Sequence, residues 1–208
     1  MYNVKHRFIF VEVPRTGTTS IGTALTGSLP FDYSEAPSYR PRGDHFHLHE
    51  QNLYRKMIRH TPISAMRQWP HLQGYRSFGF CRNPFARALS WFVHGQLQAP
   101  LPSAEVRGAF TAHLSHLRAK HAYPSFYFLS DDGKLAVDRV GRFERLHEDF
   151  AEICAWLDIG EFQLPHLNNS NFPVHYSEYY TPAARDLVVQ QAAPDFEHFG
   201  YSTRLRSI

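Results

Sequence analysis

Val11-Glu-Val-Pro-Arg-Thr-Gly-Thr-Thr-Ser20 and Cys81-Arg-Asn-Pro-Phe-Ala-Arg-Ala-Leu-Ser90 decide the reading of this chain. Each passes from an apolar run into a helix through residues suited to holding a phosphate. Before the first turn, Arg7-Phe-Ile-Phe-Val-Glu-Val13 is a nearly continuous β-branched and aromatic run stopped by Pro14, the pattern of a strand buried on both faces. Ser77-Phe-Gly-Phe-Cys81 repeats it before Arg82. A helix is expected after each, from Ser20 to Leu25 in one case and behind Asn83 as N-cap with Pro84 at the first helical position in the other. Two strand, turn and helix units predict an α/β fold with a central parallel sheet flanked by helices.

Working outward, Leu29 to His49 is rich in Pro, Tyr, Gly and His and reads as a long exposed loop. Thr61-Pro62 opens a helix through Met66. Ser103 to Arg118 forms an amphipathic helix with Val106, Phe110, Leu114 and Leu117 on its apolar side. Lys134 to Asp138 is expected as a short strand, and Leu146 to Leu157 as a helix ended by Gly160. Thr181-Pro182 caps a last helix reaching about Ala193.

The 208 residues, 43% hydrophobic and 15% aromatic, suffice for one well-packed domain, so residues 1–208 are expected to form a single unit. No stretch approaches the ~20 apolar residues of a membrane span, and no signal-peptide core opens the chain, so a soluble cytoplasmic protein is expected. Cys81 and Cys154 have no second pair with which to build a metal knuckle and read as reduced core thiols. The net charge of +3 falls short of the concentrated basic stripe of a nucleic-acid binder. Anionic small ligands or glycans fit better.

The first turn, Pro14 to Ser20, supplies Gly17 for close backbone approach, N–H donors at a helix start, and the Arg15 guanidinium. The hydroxyls of Thr16, Thr18, Thr19 and Ser20 add to this cradle for a tetrahedral anion. It is not the nucleoside-triphosphate loop, because G-x-x-x-x-G-K-[ST] lacks here its first glycine and its lysine. In the second turn, Arg82 leaves a strand end while Asn83, Arg87 and Ser90 share a helix face, so Arg82 and Ser90 are expected to converge on one anion. Arg87 reads as solvating the amphipathic helix, a structural or salt-bridging residue opposite the core stripe of Phe85, Leu89 and Phe92. Two unlike anion turns suggest a nucleotide carrying phosphates at two places.

The pairing of P-[KR]-T-G-[GT]-T-S after an N-terminal strand with R-[ND]-P-x-x-R-x-x-S after a later one resembles the sulfotransferases that use 3′-phosphoadenosine 5′-phosphosulfate (PAPS). The resemblance is to their Golgi carbohydrate branch and its bacterial relatives. Gly141 to Phe150, Leu164 to Ser170 and Asp195 to Tyr201 resemble that branch in the same order. The resemblance implies a P-loop-like sulfotransferase fold. It also implies that Pro14, Arg15, Thr16, Gly17, Thr18, Thr19 and Ser20 hold the 5′-phosphosulfate, and that Arg82 and Ser90 hold the 3′-phosphate. The family usually has Lys where this chain has Arg15, so charge stabilisation of the leaving phosphate survives but acid catalysis by residue 15 does not.

Sulfuryl transfer to a hydroxyl needs a base, and among 14 histidines the resemblance points to His60 in His60-Thr-Pro-Ile-Ser-Ala65. Competing candidates are Glu35 and the alternating His45, His47 and His49, a set that also has the makings of a zinc site. Arg40, Arg42, Arg55, Lys56 and Arg59, with His113, His116, Arg118, Lys120 and His121, are candidates for a groove that takes an anionic glycan. The expected reaction moves a sulfuryl group from PAPS to an acceptor hydroxyl on a carbohydrate, releases adenosine 3′,5′-bisphosphate, and requires no metal. Two other readings stay open: a P-loop kinase-like phosphotransferase, and a non-catalytic nucleotide- or glycan-binding relative.

Overall fold

The computed structural model describes residues 1–26, 54–55, 60–94, 99–117, 123–165 and 172–205. The expected loop of residues 29–49, with Glu35, Arg40, Arg42, His45, His47 and His49, lies outside the described residues. So do Lys56, Arg59, Arg118, Lys120, His121, Asn168 and Ser170.

Among the described residues, five strands form the sheet: β1 (Tyr2–Asn3), β2 (Phe8–Val11), β3 (Tyr54–Arg55), β4 (Arg76–Cys81) and β5 (Arg139–Arg142). Their order is β3-β1-β2-β4-β5. The three strands β2, β4 and β5 are parallel, with Val11 opposite Gly79 and Cys81 opposite Arg142. At the other edge β1 runs antiparallel to both β2 and β3, so the expected parallel core carries an antiparallel margin.

Helices α1 (Thr18–Thr26), α2 (Ile63–Met66), α3 (Pro84–Phe92) and α4 (Ala104–His116) come first along the chain. After them come α5 (Pro124–Phe128), α6 (Leu146–Leu157), α7 (Pro182–Gln191) and α8 (Ala193–Phe199). The period-2 alternation of the strands divides the core. Phe8, Phe10, Phe78 and Phe80 pack with Ile21 and Leu25 of α1 and with Phe150, Ile153, Cys154 and Leu157 of α6. Ile9, Val11 and Cys81 face Ile63 and Met66 of α2, Phe128 of α5 and Phe199 of α8. Each of these buried rings contributes about 1.5–3 kcal/mol. Gly79 and Gly141 are required for this packing, because a Cβ there would meet the ring carbons of Phe128 and Phe80 at 2.3 and 2.4 Å.

A third cluster joins Phe85, Ala88 and Leu89 of α3 to Phe110 and Leu114 of α4 and to Ala184 and Val188 of α7. The caps follow the sequence: the side chains of Asn83, Ser103 and Thr181 accept N–H groups at the starts of α3, α4 and α7.

Three expectations are corrected. Lys134 to Asp138 is not a strand; Leu135 makes only an isolated bridge to Leu129, and pairing to β4 begins at Arg139. Asp138 instead turns its carboxylate onto the Ser77 N–H at 2.6 Å, which fixes the chain as it enters β5. Helix α6 ends at Leu157 because Asp158, with φ 56°, takes the left-handed cap position; Gly160 lies beyond it. The expected last helix is followed by another: Pro194 sits in the first turn of α8, where its missing N–H costs nothing.

Candidate functional site

Because β4 lies between β2 and β5, the segments that follow these three strands emerge side by side at their carboxyl ends, where open α/β sheets bind ligands. The two turns read from the sequence thus become one structure.

The first turn holds its shape by turning its carbonyls inward. Thr16 and Thr18 both donate their hydroxyls to the Val13 carbonyl, at 2.9 and 2.5 Å. Arg87 Nε donates to the Pro14 carbonyl at 2.9 Å, and Arg82 Nη1 to the Arg15 carbonyl at 3.1 Å. The hydroxyls of Thr16 and Thr18, expected in the anion cradle, therefore brace the backbone. The first bond of α1 runs from the Ile21 N–H to the Gly17 carbonyl at 3.1 Å, so the N–H groups of the first turn lie outside the helical ladder. Gly17 has φ 81°, and a Cβ there would sit 2.9 Å from Leu146 Cδ2. Arg15 has φ 67°, a left-handed backbone that costs a non-glycine residue about 1–3 kcal/mol and is found where structure or function demands it.

From this backbone the Arg15 side chain crosses to the second turn. Its Nε donates to Ser90 Oγ at 3.0 Å and its Nη1 to His94 Nδ1 at 2.9 Å. Arg15, Arg82 and Ser90 are thus assembled around one another, although Arg82 and Ser90 meet through Arg15 rather than directly. Arg82 lies over the Phe143 ring at 4.1 Å, and its Nε is buried with no partner among the described residues. Burial pushes Arg82 down to about 10; Glu144 opposes this while Arg15 and Arg87 add to it. Burial also lowers Arg15. The charges of Arg15 and Arg87 thus both disfavour the Arg82 cation.

Arg87 is structural, as expected, but it acts from the core and does not solvate the helix surface. It is 2% exposed, and its guanidinium lies 5.7 Å from the Trp91 ring centroid. Burial brings it down to about 10, opposed mainly by the charge of Asp195. Asp195 is itself buried and accepts the Ser125 N–H at 2.7 Å. Arg87 therefore couples the first turn to the core, a role helical periodicity did not signal.

His60 reaches the same end of the sheet. It has φ 65°, is half-buried, and lies edge-on to the Tyr127 ring at 6.4 Å. Its Nδ1 donates to the Glu12 carbonyl at 2.7 Å, so that in the neutral ring the lone pair falls on Nε2. That nitrogen is suited to accepting a proton.

Glu144, to which sequence reasoning gave no role, ties the ends of β4 and β5 to the segment after α8. Its Oε1 accepts the Asn83 N–H at 2.6 Å and its Oε2 the Tyr201 hydroxyl at 2.8 Å. The Tyr201 hydroxyl lies 3.4 Å from Cys81 Sγ, and burial pushes that thiol up to about 12, in keeping with an inert core cysteine. Asn83 itself serves as the N-cap of α3, its Oδ1 accepting the Phe85 and Ala86 N–H groups. His113, an acceptor-side candidate, packs its ring on Phe92 at 5.4 Å and has its Nε2 buried without a partner among the described residues. Among the described residues, no cluster of three or more His, Cys, Asp or Glu is arranged to hold a metal ion, and no helix is long and apolar enough to cross a membrane.

The sequence model of the sulfotransferase family matches residues 1–202. No curated protein and no solved structure matches the chain.

Proposed function

The chain belongs to the sulfotransferase family, and on that premise we propose that it transfers a sulfuryl group from PAPS to a carbohydrate hydroxyl, acting as one domain over residues 1–208. The observation that carries this reading is the junction of the two turns, in which Arg15 bonds Ser90 while Arg82 bonds the Arg15 carbonyl. A nucleotide with a 5′-phosphosulfate and a 3′-phosphate needs two anion seats close together, and two phosphate-suited turns bonded to one another support that reading.

The 5′-phosphosulfate lies against the N–H groups of Thr16, Gly17, Thr18 and Thr19, at the start of α1, with Pro14 and Ser20 bounding the turn. Ser90 and Arg82 take the 3′-phosphate. Arg15, whose backbone belongs to the first turn and whose guanidinium reaches the second, lends charge to both. The acceptor hydroxyl gives its proton to His60 Nε2 as its oxygen attacks sulfur in line. The bond from sulfur to the 5′-phosphate oxygen breaks, and adenosine 3′,5′-bisphosphate leaves with the negative charge that the turn's donors stabilise. No metal takes part in these steps.

Calorimetric titration with adenosine 3′,5′-bisphosphate and with AMP tests the donor. A preference for the bisphosphate of about tenfold or more, abolished in Arg82→Ala and Ser90→Ala, is expected. Equal affinity for the two nucleotides refutes the reading.

A further inference from the structure

Arginine has five donors and no acceptor, so the 2.9 Å contact between Arg15 Nη1 and His94 Nδ1 has one sense: the guanidinium donates and the imidazole accepts. His94 is then neutral, with its ring proton on Nε2. Its backbone is set by the turn that ends α3, where the Val93 N–H returns to the Leu89 carbonyl and the His94 N–H to the Trp91 carbonyl, each at 3.1 Å. Val93 is buried, whereas His94 is exposed at the rim beside Ser90. The Arg15 guanidinium thus spans two acceptors, one fully buried and one at the surface, by using Nε and Nη1 as a fork.

We propose that His94 is a specificity-determining positioning residue for the donor's 3′-phosphate: it holds Arg15 beside Ser90, so that Arg15, Ser90 and Arg82 form one three-sided seat. This rests on the PAPS reading above. The fork explains the choice of residue 15. A lysine ammonium is a single point at the end of a flexible stem and does not present two fixed, divergent donors to Ser90 and His94 at once. The left-handed backbone at Arg15 launches the side chain across the gap between turns, and His94 stops it there.

The test titrates adenosine 3′,5′-bisphosphate and AMP into the wild-type chain, His94→Ala and His94→Asn. His94→Ala is expected to bind the bisphosphate about tenfold more weakly, with a clearly smaller loss for AMP, because Arg15 serves both seats but His94 holds it at the 3′ one. His94→Asn, whose amide oxygen can accept from Nη1, is expected to recover most of the lost affinity. Thermal melts of both variants should match the wild type, since the side chain is exposed. A wild-type preference that survives intact in His94→Ala, or a loss that Asn does not repair, overturns the role of His94 and leaves the donor reading standing. A wild-type chain with no preference for the bisphosphate overturns both.

Discussion

Arg87 Nε donates to the Pro14 carbonyl at 2.9 Å from a side chain that is 2% exposed. The helix that follows one turn thus holds the backbone of the other, and it does so with a charge taken out of water. Such a charge is tolerable only while its surroundings compensate it, here through the Pro14 carbonyl, the Trp91 and Tyr123 rings and the field of Asp195.

Arg87→Ala removes this brace, takes away one of the positive charges that act on Asp195, His198 being another, and opens a cavity. Denaturant unfolding is expected to show a loss of about 3–5 kcal/mol. Arg87→Met fills the space without a charge and should recover part of that stability. It should still weaken nucleotide binding, because the Pro14 carbonyl has lost its donor. Wild-type affinity in a folded Arg87→Met protein would contradict the bracing role.

Stability should depend on pH through Asp195. Burial raises this carboxyl from an ordinary 3.8 to about 6, so between those values the native state binds a proton that the unfolded chain does not. The contribution is fully present below about pH 4 and is lost as pH rises through about 6. Its size is on the order of 3 kcal/mol. Asp195→Asn keeps an acceptor for the Ser125 N–H and cannot titrate, so the stability difference between the two proteins should change over this window by that order. A constant difference from pH 4 to pH 7 would show that Asp195 titrates normally.

His60→Asn offers the cleanest test of the base. Asparagine tolerates the left-handed backbone at this position and can still donate to the Glu12 carbonyl, yet it has no basic nitrogen. Turnover is expected to fall about 10²–10⁴-fold, while adenosine 3′,5′-bisphosphate binding changes by less than about twofold. Undiminished turnover removes His60 from the mechanism.

Gly17→Ala should injure the first turn twice over. The new Cβ must adopt φ 81° and meets Leu146 Cδ2 at 2.9 Å. A loss of about 1–3 kcal/mol in thermal or denaturant unfolding is expected, together with weaker binding of both AMP and the bisphosphate. Weakening confined to the bisphosphate would mean that Gly17 serves the wrong end of the nucleotide.

Much of the frame was legible in the order of residues. Strands β2 and β4 announce themselves as apolar runs ended by Pro14 and Arg82, and Asn83, Ser103 and Thr181 cap the helices that their positions imply. These signals are local, each arising within one turn of chain. Strand β5 escaped notice because Arg139-Val-Gly-Arg142 has no apolar run: Arg139 is exposed, and Gly141 contributes a bare surface for the Phe80 ring. Glu144 carried no local signal for its role, because its two oxygens join segments 61 and 57 residues away.

The sequence by itself determined that two anion-suited turns follow two strands of an α/β sheet, and which residue types they carry. Only the tertiary structure decided how those residues are used. It turned the Thr16 and Thr18 hydroxyls inward, buried Arg87 and directed His60 Nδ1 to the Glu12 carbonyl. It also swung Arg15 onto Ser90 and His94. The physical reason is separation along the chain. Capping and periodicity act over a few residues, whereas Arg15 meets Ser90 across 75 and Arg87 meets Pro14 across 73, partnerships that exist only once β2 and β4 lie side by side.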